Sequence, residues 1–263
     1  AIDFNHLESL LANTTQKTLV SLMHVNNEIG NILDLKRAAV LCKKYDTLFH
    51  SDTVQSIGHY HLDFKDIPID FAAVAAHKFH GPKGAGFAFV RKNSGIRPMI
   101  VGGAQERGMR AGTEPVYAIV GMVEALKISY QNLAQEKTHI TGLKDYFKES
   151  LVKEIPEIQF NGQCDDNDNS SYTVLNVCIP VSPEKGTMLL FQLDIKGIAC
   201  SKGSACQSGA SNGSHVLSEI LNNEDLAKPS IRFSFSSFNT IDEIDYVVKT
   251  LTTFVKPGNV LEH

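Results

Sequence analysis

The sequence has no long apolar run, no cationic tract and no recognisable targeting segment. Every apolar run falls well short of the roughly 20 residues that span a membrane, so we expect no membrane contact. The chain does not open with a charged region followed by an apolar one, which predicts that it carries no signal peptide. The net charge of −4 and the lack of a dense lysine and arginine tract argue against a nucleic-acid-binding surface.

Cysteine is also scarce, and the five cysteines do not pair by number or by spacing. An odd count without a Cys-x-x-Cys motif disfavours both a disulfide framework and a zinc site. Free thiols fit a reducing compartment, so we expect a cytoplasmic protein without a bound metal. Cys42 and Cys178 lie among apolar neighbours and are predicted to pack in the core, and the same is expected of Cys200.

What the sequence does contain is enough apolar material for one large domain or two smaller ones. Of the 263 residues, 43% are hydrophobic and 21% are charged, as in ordinary globular proteins. A long helical pattern from Pro115 to about Lys153 predicts a domain boundary near its middle, with residues 1–130 in one domain and 131–260 in a smaller α+β domain. Residues 261–263 resemble the stub of a histidine-tag vector and are left out of the fold.

The first half of the chain reads as an α/β unit with a mostly parallel sheet. Three apolar runs predict strands, separated by a helix and a connection: 18–25, 47–50 and 71–76. Ligands of such sheets bind outside the carboxyl ends of the strands. Asn27, Asp52 and Lys78 each follow one of these ends, so we expect ligand-binding side chains along one rim.

Residues 70–86 combine a core strand with a lysine and a glycine-rich turn. The run from Phe71 to Ala76 has no polar face, which predicts a strand buried on both sides. It ends in His77 and Lys78, and the glycines that follow allow close approach of a ligand. A lysine in partly dry surroundings can act as a nucleophilic amine, although a lysine turned to solvent is the alternative.

Two arginine-bearing segments lie further along the chain. Residues 102–113 are rich in glycine and arginine, which suits an anion or a partner subunit, although a plain connector has the same composition. Arg232 stands between apolar neighbours and needs an anionic partner, either a bound carboxylate or an internal ion pair.

Cys206 stands in a segment unlike those of the other cysteines. Residues 201–214 are dominated by serine and glycine, which predicts a flexible loop. A thiol exposed on such a loop is a liability unless its chemistry is used. A hydrolase built on Cys206 and His215 is one alternative, but it leaves Asp52, Lys78 and Arg232 unexplained.

Six motifs, in order along nearly the whole chain, resemble those of the cysteine desulfurases. This family belongs to the class V aminotransferase group of fold-type I pyridoxal-phosphate enzymes, in which a mostly parallel central sheet is flanked by helices and followed by a smaller C-terminal domain. The motifs are His24-Val-Asn-Asn-Glu-Ile-Gly30, His50-Ser-Asp-Thr-Val-Gln55, His77-Lys-Phe-His-Gly-Pro-Lys-Gly84, Glu106-Arg-Gly-Met-Arg-Ala-Gly-Thr113, Gly203-Ser-Ala-Cys206 and Ile231-Arg-Phe-Ser234.

The resemblance implies a pyridoxal 5'-phosphate enzyme that converts L-cysteine to L-alanine. By position, Lys78 would form the Schiff base and Asp52 would pair with the pyridine nitrogen. The remaining implied roles are these: Asn27 and Gln55 for the ring's phenolic oxygen, His77 for the phosphate, Thr113 for the phosphate of the partner subunit's cofactor, Arg232 for the substrate carboxylate and Cys206 for the sulfur, as a persulfide. Thr113 thus implies a homodimer, and Cys206 implies a sulfur-acceptor or iron–sulfur scaffold protein as partner.

The chain departs from the family pattern in two places. Ala75 stands where the family usually has a hydroxyl residue that binds the phosphate. The chain also begins inside the pattern, so residues 1–130 would form the C-terminal portion of the large cofactor-binding domain, and we expect a fragment or further residues upstream. A selenocysteine lyase, a related class V enzyme and a non-catalytic fragment or scaffold of this fold are the alternatives.

Overall fold

The computed structural model describes residues 2–202 and 214–256. The chain divides into two compact units, the first made of residues 1–25 and 33–133, the second of residues 26–32 and 134–263. In chain order the elements are α1 (Phe4–Ala12), β1 (Leu19–Met23), α2 (Leu35–Lys44), β2 (Leu48–Asp52), β3 (Phe71–Ala75), β4 (Gly86–Val90), α3 (Val116–Glu154), β5 (Gln159–Asn161), β6 (Val174–Cys178), α4 (Pro183–Thr187), α5 (Leu189–Ile195), α6 (Asn223–Ala227), β7 (Ser230–Ser234) and α7 (Ile241–Val255).

The first unit is built on a four-stranded sheet in the order β1-β2-β3-β4. Strands β1, β2 and β3 run parallel, and β4 pairs antiparallel with β3 at the edge. The predicted α/β architecture with a mostly parallel sheet is therefore confirmed. Helix α2 begins at the N-cap Asp34, whose carboxylate accepts from the Arg37 amide, and its apolar face packs with α1 on the sheet.

Strand β3 is less buried than its sequence predicts. Ala72 and Val74 are buried, but the alternate positions Phe71, Ala73 and Ala75 are only half-buried. The prediction of burial on both faces was wrong because alanine fits a half-open face as well as a closed one, and the run carries no polar residue to mark the more open side.

The second unit contains an antiparallel sheet in the order β5-β6-β7. The central strand β6 is buried at every position, and Phe147 of α3 packs edge-on against Phe233 of β7, with ring centroids 5.1 Å apart. Helix α7 starts with a capping box between Thr240 and Glu243. The short segment 26–32 belongs to this unit, although it lies between β1 and α2 in the chain.

Residues 164–171 have the polar composition that is typical of an exposed loop, but only part of this segment is exposed. Residues 165–169 are exposed, whereas Cys164, Ser170 and Ser171 are buried. The reason is Lys144, itself 1% exposed, whose ammonium donates to the Ser170 hydroxyl and the Ser171 carbonyl. Of the helices within residues 2–202 and 214–256, none has both the length and the apolarity needed to cross a membrane.

Candidate active site

The first unit places a carboxylate at the carboxyl end of β2. Asp52 is the last residue of this strand and pairs in register with Ala73 of β3. Its Oδ1 accepts from the Val54 amide at 2.9 Å, which fixes the start of the turn that carries Gln55. Both Asp52 and Gln55 are half-buried, so each is accessible to a ligand at this edge.

Lys78 lies at the same edge of the sheet, in a short 3₁₀ turn directly after β3. The turn runs from Ala76 to Phe79, and both of these terminal residues are buried. His59 Nε2 lies 3.0 Å from the Lys78 carbonyl and ties the turn to the segment that follows β2. Lys78 is half-buried and its neighbour His77 is exposed, so the fixed main chain presents both side chains outward.

Two glycines allow this turn to pack closely. A Cβ atom at Gly81 would lie 2.9 Å from the Ala76 Cβ, and one at Gly58 would lie 2.6 Å from the Phe79 Cβ. Gly58 also has a φ of +87°, a conformation that favours glycine. On the buried side of the turn that carries Lys78, Gly58 and Gly81 therefore stand where a side chain would not fit.

The glycine- and arginine-rich segment 102–113 is exposed over most of its length. Glu106 and Arg107 both adopt left-handed backbone conformations, with φ of 49° and 56°, inside a short 3₁₀ turn. Thr113 is exposed. The sequence-predicted residue Thr113 thus lies at the surface of the first unit.

His24 is a buried histidine at the end of β1, next to the edge that carries Asp52. It is 6% exposed, and its amide donates to the Asp52 carbonyl at 2.9 Å. Its ring packs edge-on against Tyr60, and its Nδ1 has no hydrogen-bond partner within the described part of the chain. Burial lowers the pKa of His24 to about 4, so the ring is neutral in the folded protein at neutral pH.

Because the folded state resists protonation of His24, acid should destabilise the protein. The ordinary histidine pKa lies near 6.5 in the unfolded chain, so stability is complete above that pH and falls as the pH drops toward 4. Between about pH 7.5 and pH 4.5 we expect His24 to account for a loss of about 2–3 kcal/mol in the free energy of unfolding. Urea unfolding of wild type and His24→Gln across this range gives the difference between their free energies of unfolding, which should shrink as the pH falls. A difference that stays constant with pH would contradict the prediction.

In the second unit, Arg232 of β7 reaches the turn that follows β1 in the chain. Its Nη1 donates to the Asn27 carbonyl at 2.8 Å, and Asn27 is half-buried. The Arg232 main chain exchanges two hydrogen bonds with Ser201, so the base of the serine- and glycine-rich segment is fixed beside it. Arg232 and Asn27, two of the sequence-predicted residues, are therefore in direct contact.

Sequence reasoning missed two residues of this cluster, Glu28 and Ser214. Glu28 is 1% exposed, and its carboxylate accepts from the Ser214 hydroxyl at 2.5 Å. The Asn176 side chain, also buried, donates to the Glu28 carbonyl. Glu28 stands inside the first motif, but a single glutamate in a turn gives no signal of burial, which depends on β6 and on Ser214 far along the chain.

Cys206 and the predicted flexibility of its loop lie outside the described residues. The cysteines that are described, Cys42, Cys164, Cys178 and Cys200, are all free thiols. Cys42 and Cys178 are buried, as predicted, and Cys200 is half-buried. Burial raises the pKa of Cys200 to about 11. Residues 2–202 and 214–256 contain no cluster of ligands suited to a metal ion.

Comparison with known proteins agrees with this arrangement. The family model "Aminotransferase class-V" matches residues 1–247. Cysteine desulfurase IscS of Dictyoglomus turgidum is 36% identical over 255 residues, covering 97% of this chain and 63% of that protein. Cysteine desulfurase IscS of Clostridium botulinum is 39% identical over 243 residues, covering 92% and 60%. The X-ray structure of a NifS-like protein from Rickettsia africae is 31% identical with a TM-score of 0.83, covering 96% and 66%.

The chain belongs to the class V aminotransferase family, whose members are pyridoxal phosphate enzymes. Within that family, the relatives it matches at 36–39% identity are cysteine desulfurases. The chain spans 60–63% of the length of these relatives.

Proposed function

We propose that this chain is part of a pyridoxal-phosphate-dependent cysteine desulfurase, which converts L-cysteine to L-alanine and transfers the sulfur to Cys206 as a persulfide. The observation that carries the proposal is the placement of an amine and a carboxylate at the same edge of the sheet. Lys78 follows β3 and Asp52 ends β2, and these two strands are parallel neighbours. Ligand sites of open α/β sheets lie at such an edge.

The groups at this edge suit the chemistry of pyridoxal phosphate. The Asp52 carboxylate would pair with the protonated ring nitrogen, the Lys78 amine would bind the aldehyde carbon, and the exposed His77 would contact the phosphate. The resemblance assigns Gln55 and Asn27 to the phenolic oxygen. Each of these side chains is half-buried or exposed, and so is available for a ligand.

Ala75 is the position at which the fit is weakest. It is half-buried at the end of β3 and offers no hydroxyl to the phosphate. One missing hydrogen bond to a charged group costs on the order of 1–3 kcal/mol, unless another donor replaces it. The cofactor should still bind through the remaining residues, and more weakly than in a relative with serine or threonine there.

The residues of the chain divide the reaction among them. The bound cofactor withdraws electrons from the substrate's α-carbon. Lys78 would take the α-proton and return a proton to the product. The Cys206 thiolate would attack the substrate sulfur, forming a sulfur–sulfur bond as the carbon–sulfur bond breaks. The electron pair of the broken carbon–sulfur bond would go to the substrate's β-carbon, which would be protonated to give L-alanine. Cys206 would keep the sulfur as a persulfide.

Arg232 would hold the carboxylate of L-cysteine through its planar guanidinium group. Its Nη1 is oriented by the Asn27 carbonyl, so the fork has a fixed direction. We expect Arg232→Gln to lower kcat/KM for L-cysteine by roughly 100-fold or more, mainly through KM, and Arg232→Lys to recover only part of the loss. Steady-state alanine production measures both constants. An unchanged KM in Arg232→Gln would show that Arg232 does not bind the substrate.

We also propose that the protein is a homodimer. Supporting this, the first unit exposes large apolar side chains around the segment that carries Thr113: Met99 is 96% exposed, Val101 78% and Tyr117 83%. Apolar side chains exposed together mark interaction surfaces in soluble proteins. A second subunit that covers them would bring Thr113 toward the partner's cofactor phosphate. Sedimentation analysis of the holoprotein tests the association.

The remaining parts of the proposal concern context. Residues 1–130 would form part of the large cofactor-binding domain and residues 131–260 the small domain that carries the cysteine. The sulfur would pass to an acceptor or iron–sulfur scaffold protein in the cytoplasm, and the free thiols of the described cysteines are compatible with a reducing compartment. Residues 261–263, the proposed tag remnant, lie outside the described residues.

The test is a combined mass and product measurement on the complete protein, loaded with pyridoxal phosphate and given L-cysteine. We expect borohydride to fix the cofactor on Lys78, one sulfur to appear on Cys206, and alanine to form in step with it. Cofactor binding without a persulfide would favour a selenocysteine lyase or a related class V enzyme. Failure of the complete protein to bind the cofactor would favour a non-catalytic scaffold.

A further inference from the structure

Asn176 is a buried amide in the middle of an apolar strand. It is the central residue of β6 and is 0% exposed, and the two residues that share its face in this strand, Val174 and Cys178, are buried as well. Burying an amide group is unfavourable unless its hydrogen bonds are made. An aliphatic side chain would pack here at a lower cost, so the hydrogen bonds of Asn176 must account for its presence.

Asn176 belongs to a row of polar side chains that crosses the sheet of the second unit. Asn161 of β5 and Arg232 of β7 lie directly opposite it, one on each side. Residues opposite each other in antiparallel strands share one face of the sheet. The Asn161 side-chain nitrogen donates to Asn176 Oδ1 at 2.8 Å and to the Ser230 hydroxyl at 3.0 Å. Because the amide oxygen of Asn176 is the acceptor of that bond, its Nδ2 faces a different partner.

Asn176 and Arg232 bind two consecutive carbonyl groups of one turn. The Asn176 Nδ2 donates to the Glu28 carbonyl at 3.1 Å, and the Arg232 Nη1 donates to the Asn27 carbonyl at 2.8 Å. Both carbonyl groups lie in segment 26–32, which belongs to the second unit, as do β6 and β7. The turn that orients the arginine is therefore itself held by the residue opposite the arginine in the sheet.

Hydrogen bonds inside the turn give it a fixed shape. The Asn26 side chain accepts from the Glu28 amide at 2.9 Å, and the Asn26 carbonyl accepts from the Gly30 amide at 3.0 Å. The far end of the turn is held by the Ser171 amide, which donates to the Gly30 carbonyl at 2.8 Å. The bond from Asn176 holds the end next to the arginine, so it sets where the two carbonyl groups lie relative to the sheet.

We propose that Asn176 is a positioning residue, which holds the carbonyl groups of Asn27 and Glu28 in place and so fixes the direction of the Arg232 guanidinium. Its consequence for the substrate rests on the role of Arg232 in the function proposed above. A planar guanidinium binds a carboxylate through two parallel hydrogen bonds only when the two groups are aligned. Loss of the Asn176 donor should therefore weaken binding of the substrate carboxylate and leave the chemical step nearly unchanged.

The first test measures the turn alone, on the complete protein without cofactor or substrate. Hydrogen exchange followed by mass analysis reads the amides of residues 26–32. We expect Asn176→Leu, which keeps the shape of the side chain but not its donor, to raise their exchange rate about tenfold. Asn176→Ala removes the same donor without added bulk and should give the same result, which covers the case in which the leucine variant does not fold.

Thr173→Val is the matched control. It removes a buried hydrogen bond from the segment that leads into β6, the one between the hydroxyls of Thr173 and Ser171, and it leaves the contacts of Asn27 and Glu28 untouched. The exchange rate of residues 26–32 should stay within about twofold of wild type in this variant. A general loosening of the unit would raise the rate in the control as much as in the Asn176 variants.

The second test measures catalysis by the holoprotein. We expect Asn176→Leu to raise the KM for L-cysteine about tenfold, with kcat within about twofold of wild type and the cofactor absorbance unchanged, and Thr173→Val to leave all three near wild type. Because Asn176 acts through Arg232, the effects of the two substitutions should not multiply. The KM of Asn176→Leu combined with Arg232→Gln should stay within about twofold of the KM of Arg232→Gln alone.

Unchanged hydrogen exchange in both Asn176 variants would overturn the inference, even if the wild type forms alanine. A KM in the double variant that is the product of the two separate effects would do so as well, and so would an equal rise in KM with Thr173→Val. Faster exchange in a protein whose wild type forms no alanine from L-cysteine would support the anchoring of the turn, overturn its consequence for substrate binding and contradict the proposed function.

Discussion

Replacing Lys78 with alanine is expected to abolish covalent attachment of the cofactor and to lower desulfurase activity by at least about 10³-fold. The loss is large because one side chain would serve two steps, holding the aldehyde carbon and moving the α-proton. Proton transfer by a positioned side chain is worth about 10²–10⁴-fold on its own. Borohydride reduction followed by mass analysis reads the attachment, and alanine formation reads the rate.

The structure makes Lys78→Ala an informative substitution. The main-chain contact of Lys78, its carbonyl next to His59 Nε2, does not depend on the side chain. The turn is held by the buried residues Ala76 and Phe79, which the substitution leaves in place. We therefore expect the variant to fold, and its loss of activity to report on the amine alone.

Lys83→Ala provides the matched control for that substitution. Lys83 is exposed in the same connection between β3 and β4, and it carries the same charge. Its removal should leave the attachment intact and change the rate less than about twofold. If Lys78→Ala retained a reducible cofactor adduct, or if Lys83→Ala lost it, the assignment of the Schiff-base lysine to Lys78 would be wrong.

The first unit shows how far sequence patterns reach. Alternation of strands and helices predicts a parallel sheet, and the positions after the strands predict where Asp52 and Lys78 lie, because strand direction fixes which ends share an edge. The burial of β3 was not predictable, since Ala73 and Ala75 carry no information about which face is open. Nor does any local pattern show that residues 26–32, which lie between β1 and α2 in the chain, belong to the second compact unit.

The second unit shows what local patterns leave out. Arg232 was expected to need an anion or an ion pair, and the structure shows its Nη1 on the carbonyl of Asn27, a contact between residues far apart in the chain. Glu28 and Lys144 read as ordinary surface charges in the sequence, and both are buried by partners that only the tertiary fold supplies. Buried polar networks of this kind depend on long-range pairing, which a window of neighbouring residues does not contain.

The most selective result we expect distinguishes two cysteines only six positions apart. Cys206→Ser should abolish persulfide formation, a loss of at least about 10³-fold, whereas Cys200→Ser should retain most of the wild-type rate. Sulfur transfer needs a thiolate. Burial raises the pKa of Cys200 to about 11, so at neutral pH it holds on the order of 100-fold less thiolate than a thiol of ordinary pKa.

The other described thiols are no better suited to the reaction. Burial raises the pKa of Cys42, Cys164 and Cys178 as well, and each of them is buried in the fold. The proposed reaction assigns the role to Cys206, and the described residues that flank its segment, Ser201 and Ser214, are hydrogen-bonded to Arg232 and to Glu28. Peptide mapping after a single turnover with L-cysteine identifies the acceptor. Sulfur on Cys200 in the wild type would show that the assignment of the acceptor to Cys206 is wrong. Sustained alanine formation by Cys206→Ser, with the sulfur released as elemental sulfur or, when a thiol reductant is added, as sulfide, would make the protein a lyase, because then no enzyme thiol would be needed to take the sulfur.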